Sequence, residues 1–228
     1  MNIADMLNNV LAQSGFLKRP QFFLSSDPDD VQMTAIANRV GLEISGFYPW
    51  FGLRQPAEIN LVDGQTEYDL PFGLKSIVSD SSWETDGSRK VDDHVSDGIW
   101  YQYKFSSLTS GGVIRARQYG DKLQVIEPFN GGKISFEYVT EYYAKTEGNA
   151  PLEAFSSDTD NWILDDQLLI LGMQAHWMQT KLMPQYTEHM VNYFKKMNEA
   201  IGRDGVRNTV GGHSGTSRKA PYTKTWVN

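Results

Sequence analysis

Apolar side chains change their spacing along the chain, and each change marks a different kind of element. Near the start, Ile3, Met6, Leu7, Val10 and Leu11 recur at intervals of three and four. That spacing lines one face of a helix, so a helix is predicted over residues 3–14, with Gly15 suited to its C-terminal cap. The run SSDPDD at residues 25–30 announces a second helix. Ser26 or Asp27 can accept the free N–H groups of its first turn, Pro28 fits that turn, and Asp29 and Asp30 complement the helix dipole. Met33, Ile36, Ala37, Val40 and Ile44 then share a face. The helix gives out at the aromatic run FYPWF, residues 47–51, where Pro49 stops it.

From about Glu58 to Val139 the texture changes. EINLVDGQTEYDL predicts two short strands around an Asp63–Gly64 turn. GVIRARQYGDKLQVIEPFNGGKISFEYV predicts three more, turning at Gly120–Asp121 and at Asn130–Gly131–Gly132. Short strands at regular spacing, rich in Val, Ile, Tyr and Phe, point to an antiparallel sandwich or small barrel.

Helical spacing returns at Asp165. Beyond Pro184, Tyr186, Met190, Tyr193, Phe194, Met197 and Ile201 share one face, which fits either a helix kinked at Pro184 or a second helix after it. Past Gly202 the apolar period is lost among Gly, Ser, Thr and charge, the composition of a segment disordered in isolation. The fold class is therefore α+β. N-terminal helices (1–55) and C-terminal helices (149–202) form a helical core domain, a β domain (56–148) is inserted between them, and an extended tail (203–228) follows.

The stretch DNWILDDQLLILGMQAHWMQTK, residues 160–181, poses the sharpest question about chemistry. Asp165 has the place of a helix N-cap, and Leu164 before it can pack back on the helix start. Leu168, Leu171, Ala175 and Leu182 give one apolar face; Ile170, Met173 and Trp177 occupy another. A helix apolar on two faces is buried on two sides, and another subunit is a natural source of the second side. Leu168, Ile170, Leu171, Met173 and Trp177 are thus candidates for a core helix or a subunit interface. The aspartates begin a helix rather than catalyse.

Charge narrows the partners. The chain carries a formal −7, which argues against gripping DNA through its phosphates. The first 202 residues hold 16 basic and 27 acidic side chains, a net −11, whereas residues 203–228 hold five basic ones and one acid. An acidic body with a basic tail suggests a partner for the tail. With no Cys, thiol nucleophiles, Cys zinc sites and disulfides are excluded. The N-terminus lacks the pattern of a signal peptide, and no segment has the apolar length of a membrane span, so synthesis in the cytoplasm and no membrane contact are expected.

DPDDVQMTAIANRVGLEISGFYPW (27–50) and DTDNWILDDQLLILGMQAHWM (158–178), followed by a polar extension, resemble the head-to-tail adaptor proteins of tailed bacteriophages. This connector or head-completion family is related to podovirus tail tubular protein A, and the resemblance runs to about residue 202. It implies a structural virion protein in the neck, made in the host cytoplasm. It further implies a homo-oligomeric ring, usually of twelve copies, between the portal protein and a tail or nozzle protein. Double-stranded DNA would pass through its channel during packaging retention and ejection without specific binding, and no cofactor is implied. The resemblance makes portal the receiver of the tail. There Tyr222 and Trp226 would be aromatic anchors and Arg218, Lys219 and Lys224 would face an acidic surface.

Other readings rest on fewer residues. His94 beside Asp92 and Asp93 is a candidate cation loop, though such carboxylates are more often solvated. His176 and His189 lack HExxH spacing, and His176 reads as a hydrogen-bonded core or interface histidine. GGHSG at 211–215 lacks the Lys-Ser/Thr of a phosphate loop. Trp83, Trp100, Tyr101, Tyr103, Tyr119, Tyr138, Tyr142 and Tyr143 offer a carbohydrate-binding alternative. Glu137 and Glu141 offer a peptidoglycan hydrolase alternative, but four residues along a strand span about 13 Å, wide for glycosidase carboxylates. No enzyme is expected.

Overall fold

In the computed structural model, residues 1–85, 89–93, 95–105, 113–126 and 132–207 are described. Five helices occur among them: α1 (Ile3–Gln13), α2 (Pro28–Phe47), α3 (Asp97–Phe105), α4 (Asp166–Thr180) and α5 (Tyr186–Arg207). Eight strands form one sheet: β1 (Arg54–Asn60), β2 (Glu67–Asp69), β3 (Leu74–Ile77), β4 (Trp83–Glu84), β5 (Arg89–Asp92), β6 (Ile114–Tyr119), β7 (Lys122–Ile126) and β8 (Lys133–Thr140). A small second sheet joins β9 (Ala144–Lys145), β10 (Pro151–Leu152) and β11 (Asn161–Trp162). The fold is α+β.

The helices begin where side chains satisfy their free N–H groups. The Asn2 side chain accepts from Asp5 N at 2.8 Å, and Asp27 rather than Ser26 caps α2, accepting from Asp29 N at 2.9 Å. Ile3, Met6, Leu7, Val10 and Leu11 are all buried, as are Met33, Ile36, Ala37, Val40 and Ile44. Phe47 closes α2, and the extended backbone of Tyr48 leads into Pro49.

Helix α4 lies at the centre, packed by α1, α2 and α5. Its glycine explains how close they come. A Cβ on Gly172 would sit 2.5 Å from Val40 Cγ1 and 2.9 Å from Tyr193 Cε2, so only a bare backbone fits between α2 and α5. Pro184 separates two helices: α4 ends at Thr180, Leu182 takes φ +54°, and α5 starts at Tyr186. Helix α5 runs past Gly202, five residues into the segment expected to be an extended tail. Tertiary contacts hold those turns. Arg203 Nη2 donates to Asp165 Oδ2 at 3.1 Å, and Asp204 Oδ2 accepts from Phe51 N at 2.9 Å.

The large sheet runs β1-β8-β4-β5-β6-β7-β2, with β3 also pairing with β8. Ile59, Leu61, Tyr68, Val91, Ile114, Ala116, Leu123, Val125, Ile134 and Phe136 meet in one cluster. One shared core drawn from so many strands requires the sheet to curl almost into a barrel. The β6–β7 hairpin turns at Gly120, as its sequence predicts, while the Asn130–Gly131 part of the next turn lies outside the described residues. A turn does form at Asp63–Gly64, but β1 pairs with β8 and β2 with β7, so the two are not a hairpin. All pairings are antiparallel except β5–β6. A parallel pair cannot be joined by a tight turn, and α3 lies in the crossover.

The helical core also holds an aromatic trio. Tyr143, Phe155 and Trp162 have centroids 5.6–6.2 Å apart. Asn38 of α2 ties them down: its Oδ1 accepts from Phe155 N at 2.7 Å and from Tyr143 Oη at 3.1 Å. Burial pushes the Tyr143 phenol up to about 12.

Candidate functional site

Asp165 accepts from Gln167 N at 2.9 Å through Oδ1 while Oδ2 faces Arg203, with Lys196 Nζ 3.7 Å away. Asp166 Oδ2 pairs with the N-terminal amine at 3.2 Å. Upstream, buried Asp160 accepts from Ser156 N and Ser157 N at 2.7 and 2.8 Å, and Asp158 accepts from Phe22 N at 3.0 Å. Every one of these carboxylates is held by backbone or cationic donors. They fix a loop and begin α4.

Leu168, Ile170, Met173 and Trp177 are buried within the single chain, and Leu171 packs partly buried against the same core. The second apolar side of α4 is therefore covered by the chain's own α1, α2 and α5, and a neighbouring subunit is not required to shield it. Phe16 meets Trp177 edge-on at 5.9 Å, and Lys181 Nζ lies 4.5 Å from its ring centre. Arg218, Lys219, Tyr222, Lys224 and Trp226 lie outside the described residues, as does His94.

A polar cluster forms where α2, α4 and α5 meet; the residue pattern marks His176 as a packed histidine and Tyr193 only as part of the α5 stripe, and it does not mark Glu43. His176 Nε2 is 3.3 Å from Glu43 Oε2, and Tyr193 Oη donates to Glu43 Oε1 at 3.1 Å. The hydrogen bond expected of His176 is not made: its contact with Glu43 has ion-pair distance without hydrogen-bond alignment, and neither ring nitrogen has an aligned partner. His176 holds the Glu43 carboxyl below its ordinary range against the opposing effect of burial, with help from Tyr193 and Arg39. Burial and the Glu43 charge push the Tyr193 phenol up. Glu43 and Tyr193 are 150 residues apart, so no local spacing marks the pair.

The remaining candidates are dispersed. Asp93 accepts from Asp80 N and Ser82 N at 3.2 and 3.3 Å, and Glu137 Oε2 lies 3.6 Å from Arg54 Nη1. Trp100, Tyr101 and Tyr103 are on α3 rather than on a strand. Trp100 is buried, and Tyr143 belongs to the helical core, so the eight aromatics are not one platform. Arginines occupy several ring faces: Arg115 stands 3.6 Å from the Tyr103 ring centre, and Arg117 stands 4.4 Å from that of Trp100. A groove of about 380 Å³ is lined by Trp50, Leu164, Leu168 and Ala200. Its charged rim is the Asp165–Arg203 pair and Asp204, all engaged in holding α5. Among the described residues no three His, Asp or Glu side chains are grouped to hold a metal ion, and no helix is long and apolar enough to cross a membrane.

A capped helical core joined to a curled sheet, with the aspartates that begin α4 holding backbone and partner groups, is the build of a structural subunit. The sequence pattern of the SU10 adaptor proteins matches residues 1–218, and the chain belongs to that family of phage head-to-tail adaptors. It is a phage structural adaptor, and the family implies contact with portal and tail components in the virion neck. No curated protein matches the chain.

Proposed function

We propose that this adaptor assembles as a ring, with twelve copies the expected number, that joins the portal to the tail or nozzle protein and extends the DNA channel. The observation that carries the reading is the family match across residues 1–218, which takes in both the helical layer and the curled sheet. The ring retains packaged DNA and passes it during ejection without binding it specifically. Its C-terminal segment attaches to portal, with Tyr222 and Trp226 as anchors and Arg218, Lys219 and Lys224 against an acidic surface. Because each tail in a ring binds at high effective concentration, a weak single contact suffices.

Deleting residues 208–228, beyond the end of α5, tests the attachment. The shortened chain should fold, by circular dichroism and melting, and fail to co-sediment with portal. Trp226→Ala should weaken attachment more than Lys224→Ala, since a lost aromatic removes buried area and a rim charge removes little. Heads that retain DNA and join tails normally with the shortened chain would end this reading of the tail.

A further inference from the structure

Helix α2 is apolar on two sides, and only one of them is covered. Inward, Met33, Ile36, Ala37, Val40 and Ile44 join the helical core. Outward, the exposed stripe is Pro28, Val31, Ala35, Arg39, Leu42 and Gly46, spaced as successive turns of one helical face. Val31 is 52% and Leu42 62% exposed, although both are side chains that burial would stabilise. Arg39 is the stripe's single charge. The small Ala35 leaves room for another helix to approach, whereas at Gly46 the chain's own Lys75 Nζ would stand 3.3 Å from a Cβ, so the free stripe ends at Leu42.

Position decides which partner fits. Arg39 lies near the middle of Pro28–Phe47, so two copies crossing about a two-fold axis through this helix would set Arg39 against Arg39. Like charges facing each other oppose that symmetric pairing. The occupant should instead present an acid to Arg39 and an apolar side chain beside it. The outward stripe of α5 repeats the α2 spacing: laid parallel, the exposed Glu188, Val191, Lys195, Glu199 and Gly202 fall opposite Pro28, Val31, Ala35, Arg39 and Leu42, so Glu199 meets Arg39 and Val191, 62% exposed, meets Val31. We infer that the α2 stripe of one copy receives the α5 stripe of the next, which makes this pair of faces the seam between ring neighbours.

This inference rests on the ring proposed above and identifies its contact. Two different faces joined head to tail are what a closed ring of many copies requires. Size fits as well. A 20-residue helix is about 30 Å long, and a contact about 10 Å wide along it covers on the order of 300 Å² per partner. A stable interface covers about 800 Å² per partner. One such seam is too small to hold a free dimer, so it acts where a template supplies many neighbours at once.

The chain has no cysteine, so introduced thiols report this contact without background. Full-length Leu42→Cys chains are mixed on portal rings with chains carrying one cysteine at 188, 191, 195 or 199, and a short bis-maleimide is added. The expected result is cross-linking between unlike chains, with none between two Leu42→Cys chains. In parallel, Leu42→Asp should melt like the wild type and raise the concentration for half-maximal ring formation about tenfold, the effect of losing one buried leucine. Arg39→Glu should likewise raise that concentration, and Glu199→Arg in the same chain should restore it. Normal ring formation by Leu42→Asp, cross-links between two position-42 thiols, or cross-links from position 42 to portal would each overturn the seam and leave the adaptor ring standing. Failure of the wild-type chain to form any ring on portal would overturn the ring as well.

Discussion

Asp165 shows how one carboxylate can serve two ends of a bundle. It caps α4 through Oδ1 and receives Arg203 of α5 through Oδ2. Asp165→Ala should therefore lower unfolding stability in urea by about 1–2 kcal/mol, the range of a lost N-cap. Asp166→Ala, which loses only a surface pair with the N-terminal amine, should change it by less than about 0.5 kcal/mol. Glu43 makes a different prediction. Its carboxyl is held below the ordinary 4.5 in the folded chain, so the unfolded state binds its proton more readily. The stability it contributes is present above that ordinary value and is lost as pH falls through the lower, folded one. Unfolding midpoints of the wild type should drop across that acid window. Glu43→Gln should show a shallower drop there; an unchanged slope would remove Glu43 from the acid response.

At the scale of elements, what could be read locally is what the sequence shows well. The stripe of α1, the Pro28 start of α2 and the Asp165 cap of α4 are each encoded within a turn or two. Helix α3 is not. Tyr101, Tyr103 and Phe105 alternate like strand residues, yet they lie on a helix because β5 and β6 pair in parallel and need a crossover. That demand is set by strands that pair Val91 with Ile114, beyond any local window. The pairing of β1 with β8, and the last turns of α5 held by Asp165 and Phe51, are invisible for the same reason. Of the candidate site, His176 was legible as a packed histidine, but Glu43 and Tyr193 reach it only through the fold. Gly172 offers a direct check on the packing. An alanine normally favours a helix by about 1 kcal/mol over glycine. Here its methyl would meet Val40 and Tyr193 at 2.5 and 2.9 Å, so Gly172→Ala should destabilise by about 1–3 kcal/mol in thermal melts.

Across the whole molecule, charge and assembly are linked. Through Arg207 the chain holds 18 basic and 28 acidic side chains, a net −10. A channel built from such subunits can offer like charge to passing phosphates. A chain ending at Arg207 should show no measurable affinity for duplex DNA at physiological salt by fluorescence anisotropy. Tight binding that weakens steeply with salt would contradict this account of the channel. The central claim is that copies of this chain become a ring on the portal. Its most direct test is the mass, by analytical ultracentrifugation and mass photometry, of full-length protein at micromolar concentration with and without portal. The account predicts monomer alone and, with portal, a complex heavier by a fixed ring of adaptors, twelve copies being the expected number. Stable large rings without portal, or no adaptor bound when portal is present, would contradict it.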